Sequence, residues 1–251
     1  MIYITGDIHG DPNQRFSMKE FPEQKQMTKN DYVIICGDFG LVWDKEESSR
    51  EKWFLDKLDS RSFTTLFVDG NHENFDRLNS YPVEEWHGGK VQKIRPSVIH
   101  LMRGEIFNIN DLNFFCFGGA RSHDIQDGIL EKDDPRLKAW KKDLYKMFRV
   151  NHVSWWKEEI PSEAEMLYGR KNLEGFQSAG GKIDYIITHE APASDLALMS
   201  GGYYKPDDFS KYLEEIRRDT DFKHWYFGHY HLNHHVNDKE SCIFDSITRI
   251  Q

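Results

Sequence analysis

The sequence predicts an α/β fold, on two observations. Short, uninterrupted apolar runs rich in β-branched and aromatic residues recur along the chain, and amphipathic helical segments lie between them. Apolar runs without alternation mark strands covered on both faces, as in sheets flanked by helices. Strands are predicted over 2–5 (IYIT), 32–36 (YVIIC), 65–68 (TLFV), 184–188 (DYIIT) and 225–227 (WYF), each halting at Gly, Asp, Asn or His. Helices are predicted over 46–58 (EESSREKWFLDKL), 163–179 and 207–218. In the last, Phe209, Tyr212, Leu213 and Ile216 form one stripe, and Asp207 or Asp208 suits the N-cap. Alternation of this kind defines an α/β domain.

Residues 104–119 (GEIFNINDLNFFCFGG) depart from that rhythm and predict two strands about an Asn110-Asp111 turn. The run Cys242–Asp245 offers a further pairing. Residues 121–162 are charged and carry Trp140, Trp155 and Trp156. They predict an insertion or cap, without a core of its own, on a single domain spanning 1–251.

Composition narrows the function classes. A net charge of −9 argues against broad electrostatic capture of nucleic acid, which requires many lysines and arginines on phosphates. A small phosphate-bearing substrate stays open, because bound divalent cations reverse the local sign of a site. No apolar run approaches the roughly 20 residues that span a bilayer. No basic segment followed by an apolar one opens the chain, which predicts a cytoplasmic protein without membrane contact. Cys36, Cys116 and Cys242 are widely spaced within or beside apolar runs, as buried free thiols are.

The polar residues that end the strands are the functional signal. Asp7 and His9 follow the first, Asp38 the second, Asn71 and His72 the third, His189 the fourth, and His229 with His231 the fifth. In open α/β sheets, ligands bind beyond the carboxyl ends of strands, so these residues would converge. Each has a plainer reading: Asp7 and Asp38 as helix caps, Asn71 as a turn former, His72 as an orienting group. Five strand ends carrying Asp, Asn or His together favour a site. Carboxylate, amide and imidazole donors without thiolate suit Mn, Fe, Zn or Co. Their number suits two cations sharing a carboxylate.

The ordered string GDIHG, GD, GNHE, TH and GHYH resembles the calcineurin-like metallophosphoesterase superfamily, over Asp7 to His231. The resemblance implies a four-layer αββα sandwich of two mixed β-sheets flanked by helices. It implies that Asp7, His9 and His231 hold one divalent cation and Asn71, His189 and His229 the other, with Asp38 bridging. Cations about 3.5–4 Å apart clamp a phosphoryl group and generate a bridging hydroxide that attacks phosphorus in line. The resemblance implies that His72 serves as general acid to the leaving oxygen.

Departures from the family pattern narrow the substrate. The second block here is GDFGLVWD, without the arginine that phosphoprotein phosphatases carry there, and Asp69 stands where they place another arginine before GNHE. A protein phosphatase or a symmetric dinucleoside tetraphosphate hydrolase is therefore disfavoured. Gly118–Ser122 with WWKEE at 155–159 resembles a bacterial and phage branch of the superfamily. Arg121 is the candidate auxiliary phosphate contact, and Trp155 and Trp156 are expected to pack the insertion onto the core. The predicted activity is hydrolysis of a phosphomonoester or phosphodiester, with a small phosphate ester or nucleotide as substrate. The rivals are an inactive metal-binding scaffold and a nuclease, which would need a basic groove.

Overall fold

In the computed structural model, which describes residues 1–251, strands and helices follow one another in the predicted rhythm. The strands are β1 (Ile2–Thr5), β2 (Tyr32–Ile35), β3 (Thr64–Phe67), β4 (Val83–Trp86), β5 (Gly89–Arg95), β6 (Val98–Leu101), β7 (Glu105–Ile109), β8 (Leu112–Phe117), β9 (Gly128–Leu130), β10 (Phe148–Val150), β11 (Tyr185–Thr188), β12 (His224–Phe227), β13 (His234–Asn237), β14 (Glu240–Cys242) and β15 (Ile247–Arg249). The helices are α1 (Ser49–Asp59), α2 (Phe75–Leu78), α3 (Leu137–Trp140), α4 (Glu163–Ser178), α5 (Ala193–Ser200) and α6 (Asp208–Asp219). No helix is long and apolar enough to cross a membrane.

The strands form two mixed sheets built alike. One runs β15-β1-β2-β3-β6-β5-β4 and the other β13-β14-β12-β11-β8-β7. In the first, β1, β2, β3 and β6 are parallel; in the second, β14, β12, β11 and β8 are. Antiparallel strands close every edge. Three apolar layers explain the stacking. Ile4, Ile34, Leu66, Phe107, Phe114 and Ile187 fill the space between the sheets. Tyr3, Val33, Ile35, Phe67 and Leu55 pack the outer face of the first sheet under α1, and Phe115, Ile186, Trp225, Phe209 and Leu213 pack the second under α6. Both faces of the central strands are therefore apolar, which is why the sequence shows no alternation there. The architecture is the four-layer αββα sandwich.

Local boundaries follow capping chemistry. α1 starts at Ser49, not at residue 46, because Ser48 accepts from the Glu51 N–H while the Glu51 carboxylate accepts from the Ser48 N–H. Asp207 caps α6 in the same reciprocal way with Ser210. Asn110 and Asp111 both take positive φ, 52° and 63°, and turn β7 into β8. The C-terminal pairing begins at Glu240 and ends at Cys242, since the Phe244 N–H turns to the Asn233 side chain. Within residues 121–162, β9 and β10 pair in parallel beside the short α3, and Trp156 sinks into the core, edge-on to Trp43 at 5.5 Å.

Candidate metal centre

The carboxyl ends of β2, β3 and β12 line one cavity of about 420 Å3 with Asp38, Asn71, His72, His229 and His231, and those of β1 and β11 place Asp7, His9 and His189 against these residues. Parallel strands align those ends, so residues far apart in the chain meet there. The backbone is distorted to allow it. His9, Asp38, His229 and His231 all take positive φ, between 43° and 70°. Such conformations are costly for non-glycine residues and gather at functional sites. The preceding glycines are required by close approach: a Cβ on Gly37 would meet His189 at 2.2 Å, and one on Gly70 would meet the Asp38 carboxylate at 2.1 Å.

Asp38 occupies the middle. Its Oδ1 accepts from the His72 N–H at 2.8 Å and lies 3.2 Å from His189 Nε2, while Oδ2 lies 3.8 Å from His9 Nδ1 and 4.0 Å from His72 Nε2. On one side, His9 and His231 bring their Nε2 atoms to 2.8 Å of each other, and Asp7 Oδ2 lies 3.3 Å from the latter. Asp7, His9, Asp38 and His231 each offer a ligand atom within 4.8 Å of the others. On the other side, Asn71 Oδ1 lies 3.3 Å from His189 Nε2. The His189 Nδ1–H donates to the Cys36 carbonyl at 2.7 Å, which fixes the ring with Nε2 aimed at Asp38. His229 is buried behind them, its backbone N–H held by Asp7 Oδ1 at 3.2 Å. The structure thus brings together Asp7, His9, Asp38, Asn71, His72, His189, His229 and His231.

This donor set fits divalent cations on an independent ground. Asp7 Oδ2 and His229 Nε2 are buried without a hydrogen-bond partner, an expensive state for a carboxylate oxygen and a ring nitrogen. The charges strain toward the same end. Burial alone would raise the Asp38 carboxyl, but the imidazoles of His189, His72 and His9 outweigh it and hold the group well below the usual carboxylate range. Burial lowers His189, yet Asp38 and Asp7 overcome that and raise it. His229 is pushed well down by burial and by His189 and His123. A neutral His229 with a bare Nε2 is a ligand in waiting.

His72 sits at the cavity wall, stacked on Trp43 at 5.6 Å. Its Nε2 lies 3.2 Å from Arg149 Nη2. A guanidinium can only donate, so that nitrogen carries no proton in this arrangement. Burial, together with Arg149, His9 and His189, depresses the imidazole against the opposing pull of Asp38.

Arg149 is the residue that motif reading missed. It reaches the cavity from β10, with Nε 2.8 Å from both oxygens of Asp124 and Nη1 bonded to the Ser154 carbonyl. Arg121 is exposed and lines a neighbouring depression with Glu190 and Lys205, outside the cavity that holds His72. His123, stacked on Tyr204 at 3.9 Å, separates the two. Asp69, the departure before GNHE, is buried away from the site, bonded to His100 and to Arg103.

Comparison with known proteins shows the family. A family model described as calcineurin-like phosphoesterase matches residues 1–233. Lariat debranching enzymes of Drosophila pseudoobscura pseudoobscura and Drosophila melanogaster are 23% and 22% identical to the chain, over 92% of its length and 42% of theirs. Lariat debranching enzyme A of Xenopus laevis is 22% identical over 52% of this chain and 26% of its own. The chain spans less than half the length of these relatives. A Staphylococcus aureus structure described as a 5'-nucleotidase in complex with alpha-ketoglutarate aligns with a TM-score of 0.45 at 16% identity, covering 97% of this chain and 48% of that one.

Proposed function

The chain belongs to the calcineurin-like phosphoesterase family, and from that premise we propose that it hydrolyses a phosphoester at two divalent cations. Asp7, His9 and His231 would hold one, Asn71, His189 and His229 the other, with Asp38 shared. We read residues 1–251 as one such domain with residues 121–162 inserted. The observation that carries the reading is the meeting of oxygen and nitrogen donors from five strand ends, two of them buried and unpartnered. When bound, the cations supply positive charge to the phosphoryl group and acidify water near neutral pH. Mn, Fe, Zn and Co all suit the donors.

The chain's own residues do the rest. Arg149 offers a guanidinium fork to a phosphate, a stronger acceptor than the neutral ring nitrogen it holds otherwise. Once Arg149 turns to phosphate, His72 Nε2 is free to carry the proton that the leaving oxygen needs. Trp43 keeps the imidazole plane in place. Arg121 would meet only a substrate that extends beyond His123.

One observation favours a polymeric phosphodiester over a small ester. Lys138, Lys141 and Lys142 are exposed on the insertion without ion pairs, next to the almost fully exposed Leu144 and Tyr145, in a chain whose net charge is −9. Met147 and Arg149, just downstream, line the cavity itself. Single-stranded nucleic acid is bound by such pairings of cations and stacking side chains.

The test compares p-nitrophenyl phosphate with bis-p-nitrophenyl phosphate under each of the four metals. Cation-dependent turnover that chelation abolishes is the expected result; no turnover with any metal would leave an inactive scaffold. His72→Ala should lower kcat about 10²–10⁴-fold while bound metal, measured by elemental analysis, stays constant. Loss of metal would instead make His72 a ligand.

A further inference from the structure

An amide ligand poses an orientation problem. Its oxygen binds a cation and its NH2 repels one, yet the two ends have nearly the same shape. Asn71 is buried, with Oδ1 on the side of His189 and Asp38. Its NH2 makes one hydrogen bond, to Ser122 Oγ at 3.3 Å. Ser122 is itself 2% exposed and held twice by Glu159: N to Oε1 at 2.9 Å and Oγ to Oε2 at 2.7 Å. With its hydroxyl directed at that carboxylate, Ser122 turns a lone pair to Asn71. Glu159 is fully buried, and its backbone carbonyl accepts from the Ala120 N–H at 3.0 Å. Ser122 and Glu159 stand at opposite ends of the segment 121–162, so closing the insertion and setting the amide are one arrangement.

We propose that Ser122, held by Glu159, is a positioning residue that fixes the Asn71 side chain with its oxygen toward a cation, and so couples closure of the insertion to loading of one metal site. The inference rests on the reading of Asn71 as a ligand. Without the Ser122 hydroxyl, the amide can flip and present N–H to the cation. The cation on the Asn71, His189 and His229 side then weakens, whereas the site of Asp7, His9 and His231 does not. Outer partners of metal ligands typically account for about 10–100-fold in affinity.

The experiment is calorimetric titration of the full chain with Mn alone, for wild type, Ser122→Ala, Asn71→Ala and the double variant, with melting temperature as the folding control. Ser122→Ala should weaken one of two Mn sites about 10–100-fold and leave the other within about twofold. In the Asn71→Ala background the same change should cost nothing more, since the amide it positions is gone. Unchanged Mn affinity with a lowered melting temperature would make Ser122 purely structural and overturn the coupling. A loss that adds in full to that of Asn71→Ala would overturn it too. Unchanged affinity in Asn71→Ala would instead remove Asn71 from the ligand set, a failure of the underlying reading.

Discussion

Two regions furnish the cavity, and they do so by opposite means. The strand-end loops place Asp7, Asp38, Asn71 and His189 from parallel strands whose ladders fix each backbone, and all four are buried. Residues 121–162 contribute Arg149 to the cavity and Ser122 behind Asn71, from a segment with one two-stranded pairing, much of it exposed. Position in the first region comes from the sheets; in the second it comes from side-chain bonds, Asp124 on Arg149 and Glu159 on Ser122. The strand-end set should therefore govern whether cations bind at all, Ser122 how tightly one of them is held, and Arg149 how well a bound phosphate is met.

The largest effect should follow from Asp38, which faces both groups of donors. Asp38→Asn is expected to remove metal from both sites and to lower kcat/KM roughly 10³-fold or more, since charge stabilisation by such cations amounts to several kcal/mol. Elemental analysis beside steady-state kinetics checks both. Retention of two cations would erase the distinction between the regions.

Arg149→Ala should cost less, about 10–100-fold in kcat/KM, the equivalent of one or two charge-assisted hydrogen bonds. Metal content should stay at the wild-type level. Arg149→Lys should restore only part of the loss, because an ammonium lacks the planar fork. A fall in bound metal would place Arg149 with the strand-end set instead.

The same contrast explains what the sequence disclosed. The strand runs, and the Asp, Asn and His residues that end them, were legible because residue type and position coincide: a strand fixes where its end points. The run from β4 to β6 was not, because Glu84, Glu85, Lys90, Lys93 and Arg95 interrupt its apolar pattern near the sheet edge. Arg149 was invisible for another reason. No spacing relates it to His72, 77 positions away, and only the path of the insertion joins them. Arg121, nearer the glycine motif, looked the better candidate for the same lack of a path. Trp156 was legible as a packing residue, since a large buried aromatic on a charged segment has little else to do.

The join between the regions has its own pH dependence. Burial pushes the Glu159 carboxyl up, the bonds from Ser122 only partly oppose it, and the group comes to about 7. An acid raised on folding stabilises the fold below its unfolded value, and that contribution is lost as pH rises through the folded one. Stability should therefore fall between about pH 4.5 and 7 relative to Glu159→Gln, by about 1–3 kcal/mol at the upper end. Paired melting curves across that window would show the gap widening with pH. A constant gap would mean that Glu159 is ionised throughout and that the insertion is held by charge.

The smallest effect separates the outer insertion from both. Lys138, Lys141 and Lys142 are exposed and their ammonium groups make no ion pair, so replacing all three by alanine should change stability by no more than about 0.5 kcal/mol. Hydrolysis of a small p-nitrophenyl ester, which fits within the cavity, should not change by more than about twofold, a difference of well under 1 kcal/mol. A single-stranded oligonucleotide is different, because each lysine that neutralises a phosphate releases counterion and adds about 0.7 to the salt slope. Fluorescence anisotropy across a salt series should show that slope reduced by up to about 2 in the triple variant. An unchanged slope, with unchanged affinity, would confine the insertion's part in substrate binding to Arg149 and leave the small ester as the substrate that the cavity accommodates.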